Sequence, residues 1–69
     1  MKISKEIELS FRSLQNFIDA QFIKKYQLHQ SSSNSFVFFY NDDNEEEVEE
    51  FESFVDDLRQ GGFEWWFVN

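Results

Sequence analysis

The last seven residues, Phe63-Glu64-Trp65-Trp66-Phe67-Val68-Asn69 (FEWWFVN), contain four aromatic side chains and a valine. The segment follows a Gly-Gly pair and has the composition of a β-strand. Because alternate side chains of a strand point to opposite faces, this strand carries large apolar groups on both faces. One face can lie on a core, whereas the other needs a further covering. The segment therefore predicts a sheet with one packed face and one face open to an interface.

Three further segments are predicted as strands. Residues 35–40 (SFVFFY) are apolar and lie between two runs of turn-forming residues, and residues 26–30 alternate and can pair with them through the serine-rich loop. Residues 6–11 alternate apolar side chains with acidic or serine side chains, which predicts a half-buried strand within residues 3–11. The apolar residues between 3 and 18 also fit one long helix from residue 4. Strand or helix stays open there, and we favour the strand.

Residues 44–59 give the clearest helical pattern in the chain. Val48, Phe51, Val55 and Leu58 fall on one apolar stripe, with Phe54 beside it. Asp43 or Asn44 can cap its N-terminus, acidic residues crowd the first turn, and Arg59 lies in the last turn. Gly61 is the predicted residue just beyond the helix end.

An earlier helix is predicted over residues 13–25. Ser13 is its expected N-cap, and the residues Lys24 and Lys25 suit its C-terminal end. Its apolar face would consist of Leu14, Phe17, Ile18 and Phe22.

These elements predict a two-layer α+β sandwich with the order β-α-β-β-α-β, the split β-α-β or ferredoxin-like plan. The order becomes α-β-β-α-β if the first segment is helical. Right-handed crossovers would place both helices on one face of the sheet. We expect Phe36, Phe38 and Tyr40 to face the helices together with Phe63, Trp65 and Phe67. The open face would then carry Val37, Phe39, Trp66 and Val68, although the reverse assignment also leaves large apolar groups outside.

Length and composition predict one small domain spanning residues 1–69. The chain has no cysteine, so it has neither disulfides nor a zinc-thiolate site, and ten phenylalanines, two tryptophans and two tyrosines supply its core. No apolar leader and no run of about 20 apolar residues occurs. We therefore expect a cytoplasmic protein.

The charge is strongly asymmetric. The formal net charge is −8, yet residues 1–41 carry five bases and three acids, whereas residues 42–69 carry eleven acids and a single base, Arg59. Ten of these acids fall between residues 42 and 57. Like charges spaced i,i+4 on a helix cost a few tenths of a kcal/mol each. The run therefore suggests a role beyond helix stability.

We interpret the acidic run as a ligand for a basic surface of another protein. Carboxylates on adjacent rows of a helix can stand in for phosphates in a groove that neutralises nucleic acid. The chain would then act as a small inhibitor by nucleic-acid mimicry or by plugging the site. The alternative is a solvated face that only prevents association. The predicted binding residues are Asp42, Asp43, Glu45, Glu46, Glu49, Glu50, Glu52 and Asp56.

The open aromatic face suggests a second kind of interface. A symmetric homodimer or a heterologous protein surface could cover Val37, Phe39, Trp66 and Val68. In that case the protein is an immunity-type or regulatory subunit, or a homodimeric structural module. Direct nucleic-acid binding is not expected, because residues 35–41 and 63–69 contain neither lysine nor arginine.

Neither a metal site, nor a cofactor, nor a catalytic site is predicted. The acidic residues between Asn41 and Glu52 match the register of an EF-hand loop, but Glu46 occupies the position that needs glycine. His29 is the only histidine, and its nearness to Ser31–Ser33 in sequence does not make a nucleophile and base. A protein-binding module, not an enzyme, is the function the sequence predicts.

Overall fold

The computed structural model describes residues 1–68 and shows a small α+β protein. Four strands form one antiparallel sheet, helices lie in the first and third connections, and a loop joins the second strand to the third. The α+β class predicted from the sequence is confirmed. In chain order the elements are β1 (Lys2–Leu9), α1 (Phe11–Asp19), α2 (Phe22–Lys25), β2 (His29–Gln30), β3 (Ser35–Asn41), α3 (Glu45–Gln60) and β4 (Trp65–Val68).

The sheet has the strand order β2-β3-β1-β4. β1 pairs with β3 from Lys2↔Asn41 to Glu8↔Ser35, and with β4 from Glu6↔Val68 to Leu9↔Trp65. β2 is only two residues long and pairs with β3 alone. The ambiguous N-terminal segment is therefore a strand that lies inside the sheet, and it ends at Leu9 because the next residue, Ser10, is the N-cap of α1.

The helix predicted over residues 13–25 is wrong in its bounds, because the segment forms two helices, α1 and α2. Gln21 between them has a left-handed backbone with φ of 60°. In a continuous helix Phe17 and Phe22 would point about 140° apart. The break instead brings their rings edge to face at 5.3 Å, inside the core. The pattern of apolar residues could not reveal a break that is set by packing.

The N-cap predicted for this helix is also wrong. Ser10, not Ser13, caps α1, and its side-chain oxygen accepts a hydrogen bond from the Ser13 N–H at 3.3 Å. The helix consequently begins two residues earlier than predicted. Phe11, in its first turn, is 91% exposed and contributes nothing to the core.

α3 follows the prediction at its N-terminus, whereas its left-handed glycine lies one residue later than the predicted Gly61. The side chain of Asn44 accepts hydrogen bonds from the N–H groups of Glu46 and Glu47, which makes Asn44 the N-cap. At the C-terminus Gly62, with φ of 71°, has the left-handed backbone, and Gly61 is right-handed. Gly61 is needed for another reason, since a Cβ there would lie 2.5 Å from the ring of Phe63.

The core lies between the helices and one face of the sheet. Its fully buried side chains are Phe17, Phe36, Phe54, Ile7, Leu9 and Leu58. Phe38 stacks on Phe54 with ring centroids 5.6 Å apart, and Tyr40 stacks on Phe51 at 4.9 Å. Placing Phe36, Phe38 and Tyr40 on the packed face was therefore correct.

The aromatic residues of the C-terminal segment are only partly buried. Phe63 and Trp65 pack against the edge of the core. Phe67 lies on the same face, with its ring 4.9 Å from Trp65 and 6.5 Å from Phe51, but 45% of it is exposed. The expectation that all three would be core residues is thus too strong, because β4 is an edge strand and α3 covers it from one side only.

The start of β4 is fixed by the start of α1. Ser13 is buried, and its hydroxyl oxygen accepts a hydrogen bond from the Glu64 N–H at 2.8 Å. The Glu64 carbonyl in turn accepts a hydrogen bond from the Ser10 N–H at 2.9 Å. These two bonds join elements that are more than fifty residues apart in the chain, and they set the register of the C-terminal strand.

We expect Ser13→Ala to lower the free energy of unfolding by about 1–2 kcal/mol, because it leaves the Glu64 N–H without its partner in a part-buried position. Urea denaturation followed by circular dichroism measures the change. Ser33→Ala is the matched control, since Ser33 lies in the exposed loop before β3. Equal stabilities of the two variants would contradict this role of Ser13.

Candidate functional site

The outer surface of α3 is the first candidate site, and it is covered by carboxylates. Six of them are exposed and have neither a salt bridge nor a hydrogen bond to their side chains within residues 1–68. They are Glu45, Glu46, Glu49, Glu50, Glu52 and Asp56. We call this set the acidic face of α3. Four of its members recur at i, i+4, i+7 and i+11, so they form a straight row along the helix.

The remaining predicted or neighbouring acids have local partners. Asp42 and Asp43 pair with the Met1 ammonium group, at 3.2 Å for the Asp42 carboxylate. This contact raises the pKa of the ammonium, chiefly through its hydrogen bond to Asp43. The Glu47 carboxylate accepts a hydrogen bond from the Asn41 N–H at 3.2 Å. Asp42 and Asp43 therefore have structural contacts and are weaker candidates than the six residues of the acidic face.

The charge density of the acidic face is comparable with that of a nucleic acid strand. Asp56 lies eleven residues after Glu45, a rise of about 16.5 Å along the helix axis, and the five intervals between the six carboxylates average about 3.3 Å. A single strand of B-DNA carries one phosphate per about 3.4 Å of axis. The acidic face can therefore present a similar number of negative charges to a basic groove.

Asp57 differs from its neighbour Asp56, because it is held in a polar cluster that sequence analysis missed. Its carboxylate accepts hydrogen bonds from the Tyr26 hydroxyl and from Lys25 Nζ, the latter at 3.1 Å. The bond from Tyr26, followed by the bond from Lys25, lowers the pKa of Asp57 below its ordinary value. Burial and the same bond raise the pKa of Tyr26. The cluster ties α2 to α3, so its role is structural.

The open face of the sheet is the second candidate site. Phe39 and Trp66 are both 48% exposed on it, whereas Val37 and Val68 are half-buried. The ring of Phe39 has Lys2 Nζ 5.7 Å from its centroid and the ring of His29 at 6.2 Å. The four residues predicted for this face therefore share it, as the strand alternation requires.

The open face is not one continuous apolar patch. β1 runs through its middle and contributes the row Lys2, Ser4, Glu6 and Glu8 between β3 and β4. Phe39 lies beside Ser4 and Trp66 lies beside Glu8, so the two rings are about 13 Å apart along the strand direction. Glu6 separates Val37 from Val68. The alternation of residues 6–11 indicates that acidic side chains share one face of β1. The sequence does not show, however, that β1 lies between β3 and β4.

Within residues 1–68 no group of three or more histidine or acidic side chains is placed to hold a metal ion. Residues 45–52, which match the EF-hand register, are helical. No helix among the described residues has the length and apolar character needed to cross a membrane.

Comparisons with known proteins bring no further assignment. The chain matches no protein-family model, no curated protein and no solved structure. Only the acidic face of α3 and the open face of the sheet therefore indicate a function.

We expect Asp57→Asn to reduce the free energy of unfolding by about 1 kcal/mol at pH 7, mainly through the bond from Tyr26, since the exposed pair with Lys25 contributes little. Because the folded-state pKa of Asp57 is lowered, its contribution is present above the ordinary pKa of an aspartate. That contribution is lost as the pH falls through the folded value. Thermal unfolding of the wild type and of Asp57→Asn is compared at pH 7, where the Asp57 carboxylate stabilises the fold, and at pH 2–3, where this contribution declines.

Asp56→Asn is the matched control for this measurement, because it removes the same charge at an exposed position with no partner. It should leave stability at pH 7 nearly unchanged or slightly raised, since Asp56 lies toward the negative end of the helix dipole. A difference between wild type and Asp57→Asn that does not shrink toward low pH would show that the carboxylate is not the stabilising group.

Proposed function

We propose that the protein is a small acidic binding module that blocks a basic, nucleic-acid-handling protein in the cytoplasm. The observation that carries this proposal is the acidic face of α3. Six carboxylates without neutralising partners in residues 1–68 have a mean axial spacing close to that of the phosphates of one DNA strand. A groove that binds phosphates through lysine and arginine would bind these carboxylates by the same electrostatics, and nucleic acid would be excluded from it.

The organisation of α3 supports this role. Its opposite side carries Phe54, Val55 and Leu58, which are buried in the core. The helix is therefore fixed in place, and its carboxylates are presented on a rigid element. Rigid presentation reduces the conformational entropy lost on binding. The net charge of −8 also accelerates encounter with a cationic partner.

We also infer that the chain follows the ferredoxin-like plan. What supports this inference is the strand order β2-β3-β1-β4 with antiparallel neighbours throughout. The helices α1 and α2 connect β1 to β2 across the intervening β3, and α3 connects β3 to β4 across β1. Each half is then a split β-α-β unit, which leaves one face of the sheet free of helices.

A second candidate function is docking of a partner through the open face, as in an immunity-type or regulatory subunit. The half-exposed rings of Phe39 and Trp66 favour it, since such residues anchor many interfaces. Glu6 and Glu8 lie between these two rings, so the continuous apolar area available to a partner is smaller than the sequence suggests. Trp66→Ala separates the two candidates, because it should abolish a complex that docks mainly through the open face, whereas a complex held by the acidic face of α3 should retain most of its affinity.

We expect Glu46→Lys/Glu49→Lys to weaken binding of the basic partner at least about ten-fold, because it replaces two attractive charges with two repulsive ones. The partner is captured from the native cells on immobilised wild-type protein. Its affinity for each variant is then measured at several salt concentrations and in competition with duplex DNA. For the wild type we expect the affinity to fall with salt and DNA to compete.

The matched control is Gln15→Lys/Asn16→Lys/Asp19→Lys, which changes the net charge equally at three exposed positions of α1. It should slow association somewhat and retain most of the affinity. Thermal unfolding checks that all variants fold. An unchanged affinity of the Glu46→Lys/Glu49→Lys variant, or an equal loss in the control, would overturn the proposed function.

A further inference from the structure

β4 (Trp65–Val68) is an edge strand with an unusually apolar sequence. β1 lies on one side of it, and no strand of residues 1–68 lies on the other. Its four residues are Trp-Trp-Phe-Val, without a charge or a proline. Proteins usually protect an exposed edge with lysine, proline, a bulge or a covering loop, because its free backbone groups accept another strand. β4 shows none of these within its own sequence.

The register identifies the backbone groups that point outward. The Ser10 N–H donates to the Glu64 carbonyl, and Glu8 pairs with Trp66 in the same register. In an antiparallel pair alternate residues bond to the same neighbour. Glu64, Trp66 and Val68 therefore face β1, and the N–H and C=O groups of Trp65 and Phe67 point to the free side. The outward N–H and C=O groups of Trp65 are about 7 Å from those of Phe67. This distance is the two-residue repeat of a β-strand, so a further strand can pair with all four groups.

A groove runs beside this edge on the helix-covered side of the sheet. It has a volume of about 410 Å³ and is lined by Phe51, Glu52, Val55, Asp56, Arg59 and Phe67. The side chains of an added strand that point to this side would lie against the ring of Phe67 and reach α3. The groove therefore offers both an apolar floor and two carboxylates of the acidic face.

On the open face the nearest carboxylates lie one strand further in, on β1, about 5 Å from β4 and about 10 Å from an added strand. Glu6 lies beside Val68, and Glu8 lies beside Trp66, both on the open face. Against these four carboxylates the groove contributes a single cation, Arg59. The side chains of an added strand would thus meet Glu52 and Asp56 on the helix-covered face, whereas Glu6 and Glu8 contribute a more distant negative field on the open face.

We propose that the free edge of β4 binds an extended, cationic segment of the partner protein as a fifth strand of the sheet. Lysine or arginine side chains of this segment point to the helix-covered face, where their alkyl chains lie on the ring of Phe67 and their charges approach Glu52 and Asp56. The apolar side chains that alternate with them point to the open face and cover Trp66. The proposal rests on the proposed function, because it names the part of the basic partner that is recognised. A second copy of this chain is a poorer occupant, since each copy carries a net charge of −8.

The test uses an N-acetylated, C-amidated octapeptide of alternating lysine and valine and the full 69-residue protein. Amide hydrogen exchange by NMR should show new protection of the Trp65 and Phe67 N–H groups when the peptide is added. Two further peptides, N-methylated on the backbone of all valines or of all lysines, keep the charge and each lose one alternate set of backbone donors. The peptide that loses the donors facing β4 should bind about ten-fold more weakly and give no protection, whereas the other should bind as before. Protection at these two amides is the signature of strand addition.

Two variants examine the edge within the protein. Phe67→Pro removes an outward N–H group that β1 does not use, whereas Phe67→Ala removes the same ring and retains the N–H group. We expect the proline variant to bind the peptide about ten-fold more weakly than the alanine variant. Thermal unfolding shows whether both variants fold, and the N-methylated peptides decide the matter if the proline variant does not.

A second pair of variants tests the charges. Glu52→Gln/Asp56→Asn removes two carboxylates beside the groove, and Glu46→Gln/Glu50→Gln removes two from the other side of the acidic face. The first should reduce affinity and its salt dependence, and the second should have a smaller effect, because charges more than about 10 Å away are largely screened at 0.1 M salt.

Three outcomes would overturn the proposal: an absence of peptide binding, binding without protection of Trp65 and Phe67, or protection without peptide that grows with protein concentration. The last would assign the edge to a second copy. Equal loss in both charge pairs, without amide protection, would place the peptide on the acidic face and leave the proposed function intact. Failure of the proposed function itself appears separately, in the Glu46→Lys/Glu49→Lys experiment with the native partner.

Discussion

β1 is paired on both sides, and the rest of the structure depends on this position. On its helix-covered face Ile7 and Leu9 are almost completely buried under the helices. On its other face it carries Glu6 and Glu8 between the aromatic strands β3 and β4. A single strand thus supplies the centre of the core and the polar row of the open face. A shift of its register by one residue would bury the acids and expose the core, so the alternation of residues 6–9 specifies the pairing of the whole sheet.

The aromatic core explains how so short a chain fills the space over this sheet. Phe17, Phe36 and Phe54 are fully buried, and their rings, with those of Phe22 and Phe38, meet at 4.8–6.5 Å. Each ring buries more surface than an aliphatic side chain, and edge-to-face contacts add a further contribution. The break between α1 and α2 is a consequence of this packing, because it orients Phe22 toward Phe17. Local helical preference is overridden where the core gains more from the bend.

The elements that sequence analysis predicts well are those whose pattern is local. The apolar stripe and N-cap of α3 define it completely, and the composition of residues 35–40 suffices for β3. The division between α1 and α2, the partial exposure of Phe67 and the Tyr26–Asp57 cluster depend on residues far apart in the chain. The same holds for the candidate sites. The acidic face follows from helical periodicity, whereas the carboxylates that divide the open face become visible only when β1 is known to lie between β3 and β4.

The distribution of charge connects the acidic face of α3 with the free edge of β4. An edge strand of four apolar residues promotes self-association, and the sequence of β4 contains no device that prevents it. The carboxylates near that edge oppose self-association instead, because two copies of the same anionic protein repel each other. The same carboxylates attract a strand of opposite charge. The selectivity of the edge therefore arises from the residues that surround it, and removing those charges should both weaken the binding of a cationic strand and permit pairing between copies.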